Sequence, residues 1–379
     1  MKPVLVLGHG QLGLMMAAAG ARLGLRVDRL DTESEELLPG TSPMRLPVTA
    51  AGLLETYPLI TAEKEHLPES ELVETLRAAP AWMNRQAFLD LADREREKQL
   101  LDRLEIPTAS WCLLSSPDDI EPALKALGEH MIIKVTRGGY DGRGQWRLPG
   151  DNPDTLPAES FGAMIAESLI RFDREVSLVG VRGDNGNTRY LPLAENVHHD
   201  GILRYSIAGE DSNPFLQRQA ETLLGRIMDE LDYTGVMAME CFEEDGRLLV
   251  NELAPRVHNS GHWSQLGTEH DQFALHLRAL LDLPLPETEY FRPTLMLNLI
   301  GCDFVPQWLA IPEIQCHWYG KEPRPGRKLG HININAASMA ELRDVTARLR
   351  PLLDEEHRRM LDEALAHYKR ESDNRRRQD

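Results

Sequence analysis

Cysteine and long apolar runs are both scarce in this chain of 379 residues. Its four cysteines form no C-x-x-C pair, so the chain should fold without disulfides or a structural metal. The apolar run Val4–Leu7 is too short for the core of a signal peptide, and no run reaches the roughly 18 apolar residues of a membrane span. We therefore expect a cytoplasmic protein, in a reducing compartment, with no membrane partner.

Basic residues are outnumbered by acidic ones, 42 to 60, which gives a net charge of −18. A surface of this sign repels nucleic acid and anionic membranes, so neither is expected as a partner. A polyanionic ligand must therefore bind in a local basic pocket. Hydrophobic residues still make up 42% of the chain, and at roughly 100 to 200 residues per domain the length predicts two or three domains.

The first of two glycine clusters lies near the N-terminus. Gly8, Gly10 and Gly13 match G-x-G-x-x-G between a strand pattern, Val4–Leu7, and a helical pattern, and a second strand pattern ends at Asp31. This order is typical of the start of a doubly wound α/β domain. The motif alone is compatible with a dinucleotide, with the phosphate of another ligand, or with a tight turn that needs glycine and binds nothing.

The second glycine cluster, residues 137–145 (R-G-G-Y-D-G-R-G-Q), lies between two strand patterns, Met131–Val135 and Gln145–Leu148. It lacks the G-K-[ST] ending and joins two strands, so it is not a P-loop. Because it carries Arg143 and follows Lys134, we interpret it as a flap whose backbone N–H groups close over a triphosphate. A flexible hairpin without a ligand is the alternative.

Two carboxylates, Glu240 and Glu252, stand inside apolar runs on either side of a turn signal, Asp245-Gly246. If Gly246 is the centre of the hairpin, the two carboxylates face each other. Like charges in that position are destabilising unless a divalent cation bridges them, and Mg²⁺ is the cation that prefers oxygen ligands and phosphates. A slipped register with an arginine beside each carboxylate is the alternative.

Basic residues are concentrated in residues 321–328, against a single acidic residue, Glu322. This segment could hold a phosphate, or it could be a solvated turn rich in proline and glycine. Its cations are Lys321, Arg324, Arg327 and Lys328.

Four motifs together carry a resemblance to a known family: G-H-G-Q-L-G at 8–13, G-G-Y-D-G-R-G-Q at 138–145, N-E-L-A-P-R-V-H-N-S-G-H at 251–262 and Y-G-K at 319–321. The chain resembles the ATP-grasp enzymes, and within them the N5-carboxyaminoimidazole ribonucleotide synthetases of purine biosynthesis. The fold implied is α/β and α+β, an ATP-grasp fold with an N-terminal Rossmann-like domain. The implied division is residues 1–100 for that domain, 101–170 for the small ATP-grasp subdomain with its flap, and 171–379 for the large subdomain with a C-terminal extension.

The resemblance also implies the chemistry. ATP and Mg²⁺ would serve as cofactors, and bicarbonate would attack the γ-phosphate to give carboxyphosphate. Its carboxyl group, or CO₂ released from it, would be captured by the amine of 5-aminoimidazole ribonucleotide. The family implies a homodimer. A sister ligase, such as a formate-dependent glycinamide ribonucleotide transformylase, a biotin-dependent carboxylase subunit, an NAD-dependent oxidoreductase and a non-catalytic nucleotide sensor remain alternatives.

Residue roles follow from the resemblance, position by position. Asp141 would orient or deprotonate the substrate amine, with Tyr140 and Arg143 beside it as further catalytic groups. Glu240 and Glu252 would bind the metal, Lys134 a phosphate, Glu175 the ribose, and the hinge Glu167, Ser168, Leu169 and Ile170 the adenine. The remaining ATP contacts would be Arg85, Gly139, Tyr140, Asp141, Gly142, Arg143, Gly144, Gln145, His198, Asn251 and Glu252. The ribonucleotide would be bound by Gln11, Leu12, Arg256, His258, Asn259, Ser260, Lys321, Arg327 and Lys328.

Overall fold

The computed structural model of the chain describes residues 1–139, 144–150, 156–208, 213–287 and 293–375. Three separate sheets follow one another along the sequence, of five, four and nine strands. Among the described residues, no helix has both the length and the apolar composition that crossing a bilayer requires.

The N-terminal sheet has the strand order β4-β3-β2-β1-β5, with β1 parallel to both β2 and β5. This parallel core, with a helix leaving the glycine turn after β1, confirms the Rossmann-like prediction. Its strands are β1 (Val4–Leu7), β2 (Val27–Asp31), β3 (Glu36–Leu38), β4 (Leu46–Pro47) and β5 (Leu59–Ala62). The helices of this part are α1 (Gln11–Arg22), α2 (Ala50–Thr56), α3 (Glu71–Ala78), α4 (Arg85–Leu91) and α5 (Arg94–Arg103).

The second sheet is antiparallel throughout, in the order β6-β9-β7-β8. Its strands are β6 (Trp111–Leu114), β7 (Met131–Val135), β8 (Gln145–Leu148) and β9 (Met164–Ser168), and α6 (Ile120–Leu127) precedes β7. The predicted hairpin around the second glycine cluster is confirmed, because Lys134 of β7 lies opposite Gln145 of β8.

The third sheet follows the order β15-β14-β10-β12-β13-β16-β18-β17, and a short β11 pairs with β10. Its first strands are β10 (Arg174–Arg182), β11 (Thr188–Tyr190), β12 (Ala194–His199), β13 (Ile202–Ala208) and β14 (Gly235–Glu244). The others are β15 (Arg247–Ala254), β16 (Thr294–Ile300), β17 (Ile314–Trp318) and β18 (Lys328–Asn335). The helices around this sheet are α7 (Pro214–Glu230), α8 (Ser264–Gly267), α9 (Gln272–Leu280), α10 (Met339–Leu349) and α11 (Glu355–Arg375).

The β14–β15 hairpin brings the two carboxylates into direct opposition, with Glu240 paired to Glu252. The turn itself is centred between Asp245 and Gly246, which have φ angles of 49° and 74°, as a two-residue type I′ turn requires. Counted from that centre, Glu240 would face Asn251. A β-bulge beside Glu240 shifts the register by one residue, so the predicted pairing is confirmed although the turn centre assumed for it was off by half a residue.

Apolar side chains pack on both faces of the N-terminal sheet, and on one face Val4 and Val6 share a cluster with Val179 and Val236 of the third sheet. Leu5, Leu7 and Ile60 are fully buried on the other face, and Ile133 is fully buried in the cluster of the second sheet. The positions of the three sheets are compatible with domain boundaries near residues 100 and 170, and that division stays a proposal.

Candidate active site

The facing carboxylates of the hairpin have the properties of a cation site. Glu240 is largely buried, and its Oε1 is shielded from solvent, lies 3.4 Å from Nδ1 of His258, and forms no hydrogen bond within the described part of the chain. Burial, together with the neighbouring charges of Glu252 and Glu175, raises the pKa of Glu240 to about 7, although the charge of His198 lowers it. A buried carboxylate oxygen without a donor, opposite a second carboxylate, fits a hard divalent cation such as Mg²⁺.

Strands β10 and β12 place further polar groups beside this pair. Oε2 of Glu175 lies 2.9 Å from Nδ1 of His198. Burial alone would lower the pKa of His198, but the hydrogen bond that its ring donates to Glu175 and the charge of Glu240 outweigh burial and raise the pKa. Asn251 is the residue that the bulge leaves outside the ladder. Glu175, His198 and Asn251, all predicted to contact ATP, therefore lie close to the predicted metal ligands.

The second sheet contributes a buried cluster of two lysines and one carboxylate. Oε2 of Glu167 on β9 forms an ion pair with Nζ of Lys134 on β7, and Oε1 lies 2.7 Å from Nζ of Lys98. Burial would raise the pKa of Glu167, but the two lysines lower it to about 2. Both oxygens of the Glu167 side chain are thus engaged with lysines.

The hinge itself follows β9. The Ser168 and Leu169 N–H groups donate to the carbonyl oxygens of Ser110 and His130, at 2.9 and 3.1 Å. Leu169 is 40% exposed. Ile170 is partly buried beside it.

Helix α5 connects the carboxylate pair to the glycine flap. Nη1 of Arg94 lies 3.8 Å from Oε2 of Glu252, and Nη2 lies 3.5 Å from the carbonyl oxygen of Gly139. Asp93 caps the helix through the N–H groups of the first turn and also accepts from Nε of Arg137 at 2.7 Å. Arg85, the arginine predicted to contact ATP, is exposed at the first position of α4.

The flap is described at its two ends. Gly144 has a φ of 68° and its carbonyl accepts from the N–H of Val135 at 2.9 Å, which closes the hairpin ahead of Gln145. Tyr140, Asp141, Gly142 and Arg143, including the three predicted catalytic residues, lie outside the described residues.

The loop after β15 presents the residues predicted to bind the ribonucleotide. Arg256 pairs through Nε with Oε1 of Glu65 at 2.7 Å, and Nδ1 of His258 lies 2.9 Å from Oγ of the fully buried Ser260. Burial and the nearby Arg256 hold the pKa of His258 well below its usual value, so its ring is neutral at pH 7. Both polar atoms of the Asn259 amide are buried without a hydrogen-bond partner among the described residues. Such an amide is ready to bind a polar ligand.

The basic segment lies beside the start of α1. Nζ of Lys321 donates to Oε1 of Gln11 and lies 5.5 Å from the centre of the Tyr319 ring. Burial lowers the pKa of Lys321, and the charge of Arg327 lowers it further. Because the charges of Lys321 and Arg327 repel each other, an anion between them would be favourable. Lys328 is the first residue of β18. The side chain of Leu12, which was also predicted to bind the ribonucleotide, is buried in the apolar core.

The backbone N–H groups of the first glycine motif are hydrogen-bonded to a side chain of the protein itself. Glu63, directly after β5, accepts the N–H of Gly13 at 2.6 Å and the N–H of Gly10 through its other oxygen. A dinucleotide pyrophosphate would need those same N–H groups. Asp31 is also engaged, since its Oδ2 accepts from Nη1 of Arg45 at 2.6 Å. The geometry therefore argues against the NAD interpretation.

Sequence reasoning did not identify several of these residues. Arg94 and Lys98 lie on α5, in a segment dense in charge that contains none of the recognised motifs. The sequence does carry one indication that Lys98 is buried, the apolar pair Leu100 and Leu101 in the core. Residues three and four positions before a core residue lie on the same face of a helix. Glu63 and Glu65, which fill the glycine turn and pair with Arg256, were also missed.

Two family models match the chain. The ATP-grasp domain matches residues 99–273, and the phosphoribosylaminoimidazole carboxylase C-terminal domain matches residues 294–345.

Among curated proteins, the chain is 48% identical over 357 residues to the N5-carboxyaminoimidazole ribonucleotide synthase of Escherichia coli strain K12, covering 94% of this chain and 97% of that protein. The structure is similar to the crystal structure of N5-carboxyaminoimidazole ribonucleotide synthetase from Thermus thermophilus, with a TM-score of 0.80 and 37% identity over 93% of this chain and 99% of that one. It is also similar to N5-carboxyaminoimidazole synthase from Aspergillus clavatus in complex with ADP and 5-aminoimidazole ribonucleotide, with a TM-score of 0.78 and 29% identity over 93% and 98% of the two chains.

Proposed function

The chain belongs to the N5-carboxyaminoimidazole ribonucleotide synthases of the ATP-grasp family, and from that premise we propose how its residues carboxylate 5-aminoimidazole ribonucleotide with ATP, Mg²⁺ and bicarbonate. The observation that carries the proposal is the opposition of Glu240 and Glu252 on one hairpin. A site for a divalent cation at this position is what transfer of a γ-phosphoryl group from ATP requires.

The nucleotide lies between the second and third sheets. Lys134 contacts a phosphate, the hinge Ser168 to Ile170 binds adenine through its backbone, and Glu175 binds the ribose. Glu240 and Glu252 would hold Mg²⁺, which would supply positive charge to neutralise the phosphates. Arg94, which lies 3.8 Å from Glu252, is a further cation beside the phosphates, and Arg85 remains a proposed ATP contact.

Two displacements then follow. A bicarbonate oxygen attacks the γ-phosphorus, the bond to the β-phosphate oxygen breaks, and ADP leaves with that electron pair. The exocyclic amine of the ribonucleotide attacks the carboxyl carbon of carboxyphosphate, inorganic phosphate leaves, and the amine loses a proton. Asp141 accepts or orients that proton, with Tyr140 and Arg143 beside it. Most of the acceleration comes from positioning and charge, because the phosphoryl group itself needs little covalent help from the protein.

The ribonucleotide binds on the side of the flap that faces away from the nucleotide. The neutral His258 and the unpaired amide of Asn259 face it. Lys321 and Arg327, with Lys328, hold its 5-phosphate, and Gln11 fixes the Lys321 ammonium. We also propose a cytoplasmic homodimer, for which light scattering of the purified protein is the direct measurement.

ADP release tests the function. It should require bicarbonate, Mg²⁺ and 5-aminoimidazole ribonucleotide together. Equal ADP release with glycinamide ribonucleotide in place of the substrate, or with formate in place of bicarbonate, would instead favour the sister ligase.

A further inference from the structure

A lysine of helix α5, Lys98, is buried beside the nucleotide cleft although no motif includes it. Its side chain is only 2% exposed. Burying an ammonium group is costly unless charged and polar partners replace its water. Lys98 has such partners: Oε1 of Glu167 at 2.7 Å and Oγ1 of Thr108 at 2.5 Å. Thr108 in turn donates to the carbonyl of Val250 on β15 at 2.6 Å.

Glu167 has a second partner, and the two are not equivalent. Its Oε2 is paired with Lys134, whose side chain is 12% exposed and lies on the strand leading to the flap. Lys98 is held inside the protein by Glu167 and Thr108, whereas Lys134 retains an accessible ammonium group. With two lysines and one carboxylate, the cluster has a net charge of +1 next to the site where a polyanion binds.

We propose that Lys98 is a positioning residue for ATP binding: by occupying one oxygen of Glu167, it leaves Lys134 held in place yet with charge available for a phosphate. The inference rests on the proposed role of Lys134 at the ATP phosphates. Without Lys98, the full charge of Glu167 falls on Lys134 alone, the pair becomes neutral, and the ammonium is drawn away from the nucleotide.

The structural alternative is that Lys98 only stabilises the junction of α5 with the two sheets. In that case its loss would lower the melting temperature and weaken ATP binding without any relation to Lys134. A double-mutant cycle separates the two cases, because only coupled residues give non-additive effects.

The experiment measures equilibrium binding of a non-hydrolysable ATP analogue with Mg²⁺ to four proteins: wild type, Lys98→Met, Lys134→Met and the double variant. We expect each single variant to raise the Kd about tenfold, which corresponds to about 1.4 kcal/mol. The double variant should be no more than about threefold weaker than Lys134→Met. Lys98→Arg should retain most of the affinity, and the KM for 5-aminoimidazole ribonucleotide should change less than twofold in Lys98→Met.

The matched control is Arg96→Met, which removes a positive charge from the same helix at an exposed position. It should leave the Kd within twofold of wild type, because exposed charges are screened by solvent. Should Lys98→Met fail to fold, Thr108→Val loosens the same ammonium without leaving a carboxylate short of a partner, and should raise the Kd about threefold.

The outcomes are distinguishable. If Lys134→Met binds the analogue as wild type does, the proposed role of Lys134 itself is wrong. If Lys134→Met is weakened but Lys98→Met and Thr108→Val bind normally, the positioning role of Lys98 is refuted. Additive losses in the double variant would refute it as well and leave Lys98 as a structural residue.

Discussion

Replacing Glu63 by alanine should show how much the Glu63 carboxylate stabilises the first glycine turn. The Glu63 carboxylate is 8% exposed and accepts the N–H groups of Gly10 and Gly13. A Cβ atom added at Gly8 would lie 2.3 Å from the Glu63 side chain, so the turn and the carboxylate fit each other closely. Glu63→Ala therefore leaves two buried donors without an acceptor at the start of α1.

The expected loss follows from those two contacts. A hydrogen bond to a charged group contributes roughly 1.5 to 3 kcal/mol, and entry of water into the vacated space recovers part of it. We expect Glu63→Ala to lower the free energy of unfolding by about 3 kcal/mol. The variant should also gain an anion site at a helix N-terminus, which sulfate can occupy. Sulfate at 100 times its Kd should restore about 2.7 kcal/mol.

The assay is thermal unfolding of wild type and variant in chloride and in sulfate at equal ionic strength. Sulfate should raise the melting temperature of Glu63→Ala by several degrees more than that of wild type. Glu33→Ala is the control, since it removes a 70% exposed acidic residue near the same sheet and should change stability by about 0.5 kcal/mol or less. Equal responses to sulfate, or a Glu63→Ala variant as stable as wild type, would refute the reasoning.

Three further predictions concern other groups. Glu240→Gln and Glu252→Gln should each lose most turnover, and Glu240→Gln should melt no lower than wild type in EDTA, because it removes like-charge repulsion from the metal-free site; melting several degrees lower would identify Glu240 as an ion-pair partner. Asp31→Asn should cost about 2 kcal/mol at pH 7, since hydrogen bonds from Arg45 and the backbone outweigh burial and lower the Asp31 pKa to about 2. That stability is present above the ordinary pKa of 3.8 and should vanish in urea titrations as pH falls towards 2. Lys321→Ala should raise the KM of the ribonucleotide about tenfold, as loss of a charge-assisted contact implies, and leave the KM of ATP unchanged; the reverse pattern would place the basic segment at the nucleotide.

Strands with a simple apolar pattern could be predicted from the sequence, and strands with buried polar residues could not. Met131–Val135 and Gln145–Leu148 match the predicted ranges. By contrast, β18 was not predicted, because it alternates isoleucine with His331 and Asn333, which pattern analysis treats as solvent-facing. Both are fully buried, and Asn333 donates to the carbonyl of His262 at 3.0 Å. Tertiary hydrogen bonds supply what the local pattern lacks.

The residues of the site also fall into two groups, those whose contacts could be predicted from the sequence and those whose contacts could not. The Glu240–Glu252 pair could be predicted because a hairpin relates residues close in sequence. The pairing of Lys98 with Glu167, and that of Arg256 with Glu65, joins residues that are far apart in the chain and on different elements. No local spacing encodes those contacts. Glu63 was missed for the same reason, although the glycines that it contacts were the first motif to be recognised.

These long-range pairs also explain how a chain with a net charge of −18 can accept anionic substrates. The cations of the proposed site each lie near an acidic side chain: Lys134 at Glu167, which also pairs with the buried Lys98, Arg94 at Glu252, Arg256 at Glu65 and Lys321 near Glu63. A buried cation needs such a partner before any substrate binds, since an isolated one would be too costly to bury. When phosphate arrives it shares these cations with the carboxylates, so affinity depends on how many donors each cation retains. A lysine with three N–H donors can hold one carboxylate and still contact a phosphate, and this is why the geometry of the pairs, more than the total charge, determines where anions bind.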